Sequence, residues 1–233
     1  MFVIRFALLS SLFYALNVSM IPLIYTFEVS AFLFLFIRFA TTFSTSLFVT
    51  KSFFSFKKIT HQRLGLWLLV LSFLFGIQSW LYVEAVKYMS VGLASVVLFT
   101  YPLITYLIVS LTNRRTLDMT TILMFFIAII GIAAISQSEE GFYTMTIGIV
   151  LALLSALSYS LILIITPRIS QLGNWEIVKY TTLIPALGFL FLFFNQTGFY
   201  WPQKEALVLS LISGTFFAIG MMFYHISVKK YGP

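Results

Sequence analysis

The sequence predicts an all-α integral membrane protein: eight transmembrane helices of an expected ten, in two inverted five-helix repeats of which the second is incomplete. Three observations predict it. First, 61% of the 233 residues are hydrophobic and 9% are charged, with 27 phenylalanines. A water-soluble chain needs about a quarter charged residues to cover its surface. Second, the apolar residues fall into eight runs bounded by charges, each holding about the 20 residues of helix that cross a bilayer. Third, the chain repeats itself. At a shift of 145, Ala7-Leu8-Leu9-Ser10, Leu12, Tyr14, Leu16, Pro22 and Ile24 fall on Ala152-Leu153-Leu154-Ser155, Leu157, Tyr159, Leu161, Pro167 and Ile169. At a shift of 142, Phe75, Ile77, Tyr82, Val86 and Lys87 fall on Phe217, Ile219, Tyr224, Val228 and Lys229.

In chain order the runs are 6–27, 29–50 (interrupted by Arg38), 64–83, 88–113, 119–138, 141–167, 180–203 and 206–228. Continuous rather than alternating apolar sequence argues for helices, which satisfy their own backbone in lipid. The opening Met1-Phe2-Val3-Ile4-Arg5 lacks a signal-peptide cleavage region, so the first run is read as the first span. The fourth run carries Pro102 and the seventh Pro185, both candidate hinges. Gly131, Ala133 and Ala134 in the fifth run, and Gly214, Ala218 and Gly220 in the eighth, are expected to let backbones approach closely.

Five runs separate the two repeat starts. An odd number makes the second copy enter the membrane from the opposite side, which is an inverted repeat with its site near the midplane. The copies are expected at 1–138 and 141–233. In the first, Lys87 is followed by two more helices, ending near Ser136. Adding the offset predicts a complete protein of about 280 residues with ten helices.

With the N-terminus cytoplasmic, Arg5, Lys51, Lys57, Lys58, Arg63, Arg114, Arg115, Arg168, Lys179, Lys229 and Lys230 lie inside and only Lys87 and Lys204 outside, a ratio of eleven to two. Such a bias sets topology. The net charge of +7 is spread through short loops without aromatic interleaving, so nucleic acid is not an expected partner. The absence of cysteine excludes disulfides and a cysteine nucleophile. Two distant histidines and few carboxylates leave no metal site, and no cofactor is expected. His61 sits in a basic loop; no HExxH, GxSxG or P-loop occurs.

The stretch from Phe75-Gly76-Ile77-Gln78-Ser79-Trp80-Leu81-Tyr82-Val83-Glu84-Ala85-Val86-Lys87-Tyr88 to Ser95, followed by Thr100-Tyr101-Pro102-Leu103, resembles the third-to-fourth-helix signature of the EamA-type drug/metabolite transporters. Arg38 in Phe36-Ile37-Arg38-Phe39-Ala40 is similar to the arginine of that family's second helix. Tyr14-Ala15-Leu16-Asn17 stands where the first helix usually carries a Trp-Gly or Trp-Ala pair, with Tyr14 in place of the tryptophan. The ending from Tyr224-His225 to Gly232-Pro233 is similar to the equivalent eighth-helix turn. The resemblance implies two inverted repeats around a central cavity and transport, often export, of small metabolites. The two further helices that it implies would complete the cavity wall.

The candidate substrate pathway is Ser10, Tyr14, Asn17, Arg38, Gln78, Trp80, Tyr82, Glu84, Tyr101, Ser155, Tyr159 and His225. Polar groups in lipid are expensive, so they turn towards the interior or another helix. Arg38 stands ten residues into its run, where a charge costs about 2.5–3.5 kcal/mol on insertion scales; it reads as a substrate or gating charge, or as a structural arginine. Glu84 reads as a proton-coupling carboxylate or as an interfacial partner of Lys87 at i+3. Ser10 and Tyr14 share a face, as do Ser155 and Tyr159; these faces line a cavity or pack helices together. His225 reads as titrating or as packed.

The leading expectation is a secondary transporter in a cell (inner or plasma) membrane, multi-pass. It would move an uncharged, zwitterionic or aromatic solute such as a metabolite, amino acid or drug-like compound by alternating access, coupled to protons or by exchange. A homodimer is left open. One alternative is a truncated, non-transporting membrane scaffold. The other, a membrane-embedded enzyme, would need a nucleophile–base pair at depth, and no close Ser/His or Asp/Asp constellation is present.

Overall fold

The computed structural model describes residues 2–50, 64–113, 119–136, 142–196 and 202–231, and these are helical throughout apart from their connections. In order the helices are α1 (Phe2–Tyr25), α2 (Ala31–Thr50), α3 (Leu64–Ala85), α4 (Val91–Leu98), α5 (Tyr101–Thr112), α6 (Met119–Ser136), α7 (Phe142–Ile165), α8 (Asn174–Asn195) and α9 (Lys204–Tyr231). A 3-10 turn, Thr166–Ile169, follows α7. The basic loop with His61 lies outside the described residues.

Among the described residues, seven stretches are long and apolar enough to cross a membrane, the fourth being Val91–Thr112, which joins α4 and α5. The fifth expected run forms α6, which includes the apolar segment Ile122–Ile132. Three differences from the sequence reading stand out, one being the end of the seventh run's helix at Asn195 rather than 203. The run 88–113 is not one continuous helix: it breaks at Phe99–Thr100, immediately before Pro102 in the first turn of α5. Proline has no N–H to give the carbonyl four residues earlier and its ring clashes there. The seventh helix begins at Asn174 rather than 180, because the Gly173 N–H donates to Glu176 Oε2 at 2.8 Å and closes the first turn.

Two compact units divide the chain. The first comprises Met1–Gly76 with Ile165–Pro233. In it α1 packs along α9, and α2 packs along both α8 and α9. The α1–α2 turn is closed by Glu28 in the left-handed region, φ 55°, with the Glu28 N–H donating to Tyr25 O at 3.0 Å. At the α2–α9 crossing a Cβ on Gly214 would lie 2.8 Å from Thr41 Cβ and 3.0 Å from Arg38 O, so only glycine fits. Aromatic rings fill the rest. Phe32 and Phe39 stack on Phe189, Phe39 meets Phe217 edge-on at 5.6 Å, and Tyr14 meets Phe217 at 5.7 Å.

The second unit is Ile77–Ile164. Ser90 Oγ accepts from the Leu93 N–H at 3.2 Å and caps α4. Gly148 of α7 lies against the preceding turn, where a Cβ would come within 3.1 Å of Tyr88 Cβ and Met89 Cγ. Gly131 of α6, expected to let backbones approach closely, has nothing among the described residues within 4 Å of a Cβ, and Ala134 is exposed. A small residue permits a close approach without requiring one.

Candidate functional site

In the first unit, Ser10 is buried on α1 and donates from Oγ to Gly220 O of α9 at 3.0 Å. Two turns on, Asn17 is buried and its Oδ1 accepts from Ser213 Oγ at 2.7 Å. Tyr14, between them, lies over Gly220, whose Cβ would come 3.3 Å from the tyrosine ring. The α1 stripe at 10, 14 and 17 is therefore held against α9.

Arg38 is 3% exposed. Its guanidinium carbon lies 4.6 Å from the Phe217 ring centroid, 5.3 Å from Phe34 and 5.4 Å from Phe39. A planar, delocalised and weakly hydrated cation suits such a box. Thr42, one turn on, donates from Oγ1 both to Arg38 O at 2.8 Å and to Gly214 O at 3.1 Å, which ties α2 to α9 beside the arginine. His225 is fully buried, 6.2 Å from the Phe75 ring and 5.0 Å from Tyr224. Pro185 lies within an unbroken α8, with Gly76 of α3 against its ring.

In the second unit, Ser155 of α7 and Gln78 of α3 bind each other twice. Ser155 Oγ donates to Gln78 O at 2.9 Å, and Gln78 Nε2 lies 3.2 Å from that hydroxyl. Tyr82 is buried, with its hydroxyl 2.8 Å from Ser95 Oγ of α4. Tyr101, the first residue of α5, meets Tyr159 of α7 edge-on at 4.6 Å. Ser160 Oγ donates to Tyr101 O at 2.9 Å, so α7 grips the chain at the helix break. Trp80 is exposed. Glu84 Oε1 accepts from Lys87 Nζ at 2.7 Å, with the lysine 40% exposed.

The sequence reading missed Lys179. Taken there as a loop cation, it lies inside α8 and is fully buried, with Nζ 5.1 Å from the Tyr180 ring. The correction follows from the earlier helix start, and Gly173 with Glu176 three residues later was the available signal. Ser72, Ser160 and Ser213 were also missed; their hydroxyls bond other helices.

Apolar helices of spanning length, with polar side chains turned onto neighbouring helices and one span broken at a proline, mark a multi-pass membrane protein. The sequence profile of the EamA-like transporter family matches residues 1–137, more than half of the chain, and the protein belongs to that family. No curated protein sequence matches it.

Proposed function

We propose that the chain is a secondary transporter that exports small uncharged, zwitterionic or aromatic solutes by alternating access, coupled to protons or by exchange. Its repeats would be 1–138 and 141–233, in a plasma or inner membrane, with the N-terminus cytoplasmic. The observation that carries this reading is the broken span. Pro102 leaves Leu98 O without its helical donor, and non-helical backbone at membrane depth is tolerated only against protein or a water-filled cavity. Beside the break stand Tyr101 and Tyr159 in edge contact, with Tyr82 and Ser95 one helix-half away. Hydroxyls and aromatic faces with no carboxylate among them suit a solute of that class. Pro102 would act as the hinge, and Pro185, in an unbroken helix, as the weaker candidate.

The full chain, reconstituted in proteoliposomes, would be assayed for counterflow of radiolabelled L-phenylalanine, L-threonine and ethidium, with and without an imposed pH gradient. Saturable counterflow of at least one, lowered by Tyr101→Ala, is expected. Folded protein that moves none of them while hydrolysing the vesicle lipid would reject the reading in favour of an enzyme.

A further inference from the structure

In the first unit the chain enters α8 through an anchored turn. The Ser170 N–H donates to Pro167 O at 3.2 Å and the Leu172 N–H to Ile169 O at 3.1 Å, and the 3-10 turn Thr166–Ile169 packs against α9. Thr166, Ile169 and Leu172 are buried, whereas Arg168, Ser170 and Gln171 are exposed. Arg168 thus stands on a fixed backbone. Its guanidinium carbon lies over the Trp67 ring of α3, 4.2 Å from the centroid. At that distance a planar guanidinium stacks on the ring and keeps its in-plane N–H donors for a second partner. Among the described residues Arg168 makes no hydrogen bond or ion pair. The carboxylate nearest to it in sequence, Glu176, accepts from the Gly173 N–H at 2.8 Å.

Trp67 stands in the first turn of the span Leu64–Ala85, about 5 Å from its first residue. That is the level at which tryptophan marks the boundary between headgroups and acyl chains. On the same helix Leu66, Leu69 and Phe73, spaced i, i+3 and i+7, are 61%, 56% and 63% exposed. They form a lipid-facing strip that starts at the level of Trp67. A cation at the head of an apolar strip fits an amphiphile with a phosphate headgroup and acyl chains. A guanidinium takes a phosphate through two parallel N–H donors, whereas a zwitterionic headgroup would bring a second cation beside it. We propose that Arg168 on Trp67 is a docking site for an anionic phospholipid, with the headgroup phosphate on the guanidinium edge and an acyl chain along Leu66, Leu69 and Phe73. The site goes beyond the transporter reading and depends on neither the solute nor the coupling.

The full chain in a neutral detergent would be titrated with phosphatidylglycerol or phosphatidylcholine, and bound lipid counted by native mass spectrometry. One phosphatidylglycerol held in preference to phosphatidylcholine is expected. Arg168→Gln should weaken it about five-fold, the share of one arginine at a membrane surface. Trp67→Leu keeps an apolar side chain but removes the stack, and should weaken it about two-fold, the size of an exposed cation–π contact. Lys204→Gln, which removes an exposed cation from the first turn of α9, should leave it unchanged. Equal affinity for the two lipids, or wild-type binding by Arg168→Gln, would overturn the site. A loss as large in Lys204→Gln would replace it with diffuse charge attraction. Displacement of the lipid by excess inorganic phosphate would make it a site for free phosphate and overturn the acyl-chain contact. Binding is read without transport, so the outcome stands whether or not the counterflow assay succeeds.

Discussion

The two units hold themselves together by different means. Besides interhelical hydroxyl bonds such as Ser10 with Gly220 O and Ser72 with Tyr180 O, the first has a phenylalanine-rich interior in which glycine brings backbones into contact and a buried cation sits among rings: Gly214 on Arg38 and Thr41, and Arg38 over Phe217, Phe34 and Phe39. The second relies on tyrosine and serine hydroxyls, as in Tyr82 with Ser95, Ser160 with Tyr101 O, and Ser155 with Gln78. Close packing and dispersion have steep distance dependence and tolerate little movement. Interhelical hydrogen bonds in a membrane average about 0.6 kcal/mol and are readily exchanged for other partners. The contrast assigns rigidity to the α2–α9 crossing of the first unit and adjustability to the contacts around the broken span in the second.

The largest effect that would test this is Gly214→Val. The side chain has no room beside Thr41 Cβ, and a loss of about 2–3 kcal/mol is expected from overpacking, read as a lower SDS midpoint in mixed micelles. A wild-type midpoint would mean that the α2–α9 crossing is loose. Arg38→Lys comes next. It keeps the charge but loses the planar stacking, and about 1–2 kcal/mol should go with it. Full stability in Arg38→Lys would show that the rings contribute packing only. In the second unit, Tyr82→Phe removes one hydroxyl from a bond to Ser95, with an expected loss of about 0.6 kcal/mol in the same titration. A loss exceeding that of Arg38→Lys would reverse the contrast. The smallest change is Lys87→Met. Its partner Glu84 lies three residues away and the pair is open to solvent, so the loss should stay below about 0.5 kcal/mol. A steeper fall would place the pair in a less polar setting than its exposure indicates.

Much of the architecture was legible because an apolar run in lipid has one solution. The ends of α2 and α7 fall within a few residues of the charges that bound their runs. Legibility failed where a residue type has two meanings. Pro102 announced a disturbance but not that the helix would restart on it. Lys179 was read as punctuation because charges usually end spans, yet a capped start at Gly173 carried the helix past it. The pairing of Ser10 with Ser155 was visible in the repeat, whereas the acceptors were not. Both acceptors are backbone carbonyls, so neither the Gln78 nor the Gly220 side chain announces the bond, although the offset of 142 aligns the two positions. Gly131 and Gly148 look alike in sequence, but among the described residues only Gly148 lies against a neighbouring turn.

The pairing of α1 with α9, and of α2 with α8 and α9, bears on biogenesis. Translation adds about 5–20 residues per second, so Phe217 emerges on the order of ten seconds after Arg38. Through that interval the first hairpin resides in the bilayer with Ser10, Asn17 and Arg38 lacking the helix that later covers them. A guanidinium waiting in lipid draws in water or seeks the headgroups. The early chain therefore has a temporary need for shelter, by the insertion machinery or by a chaperoning membrane protein, that the folded molecule no longer shows.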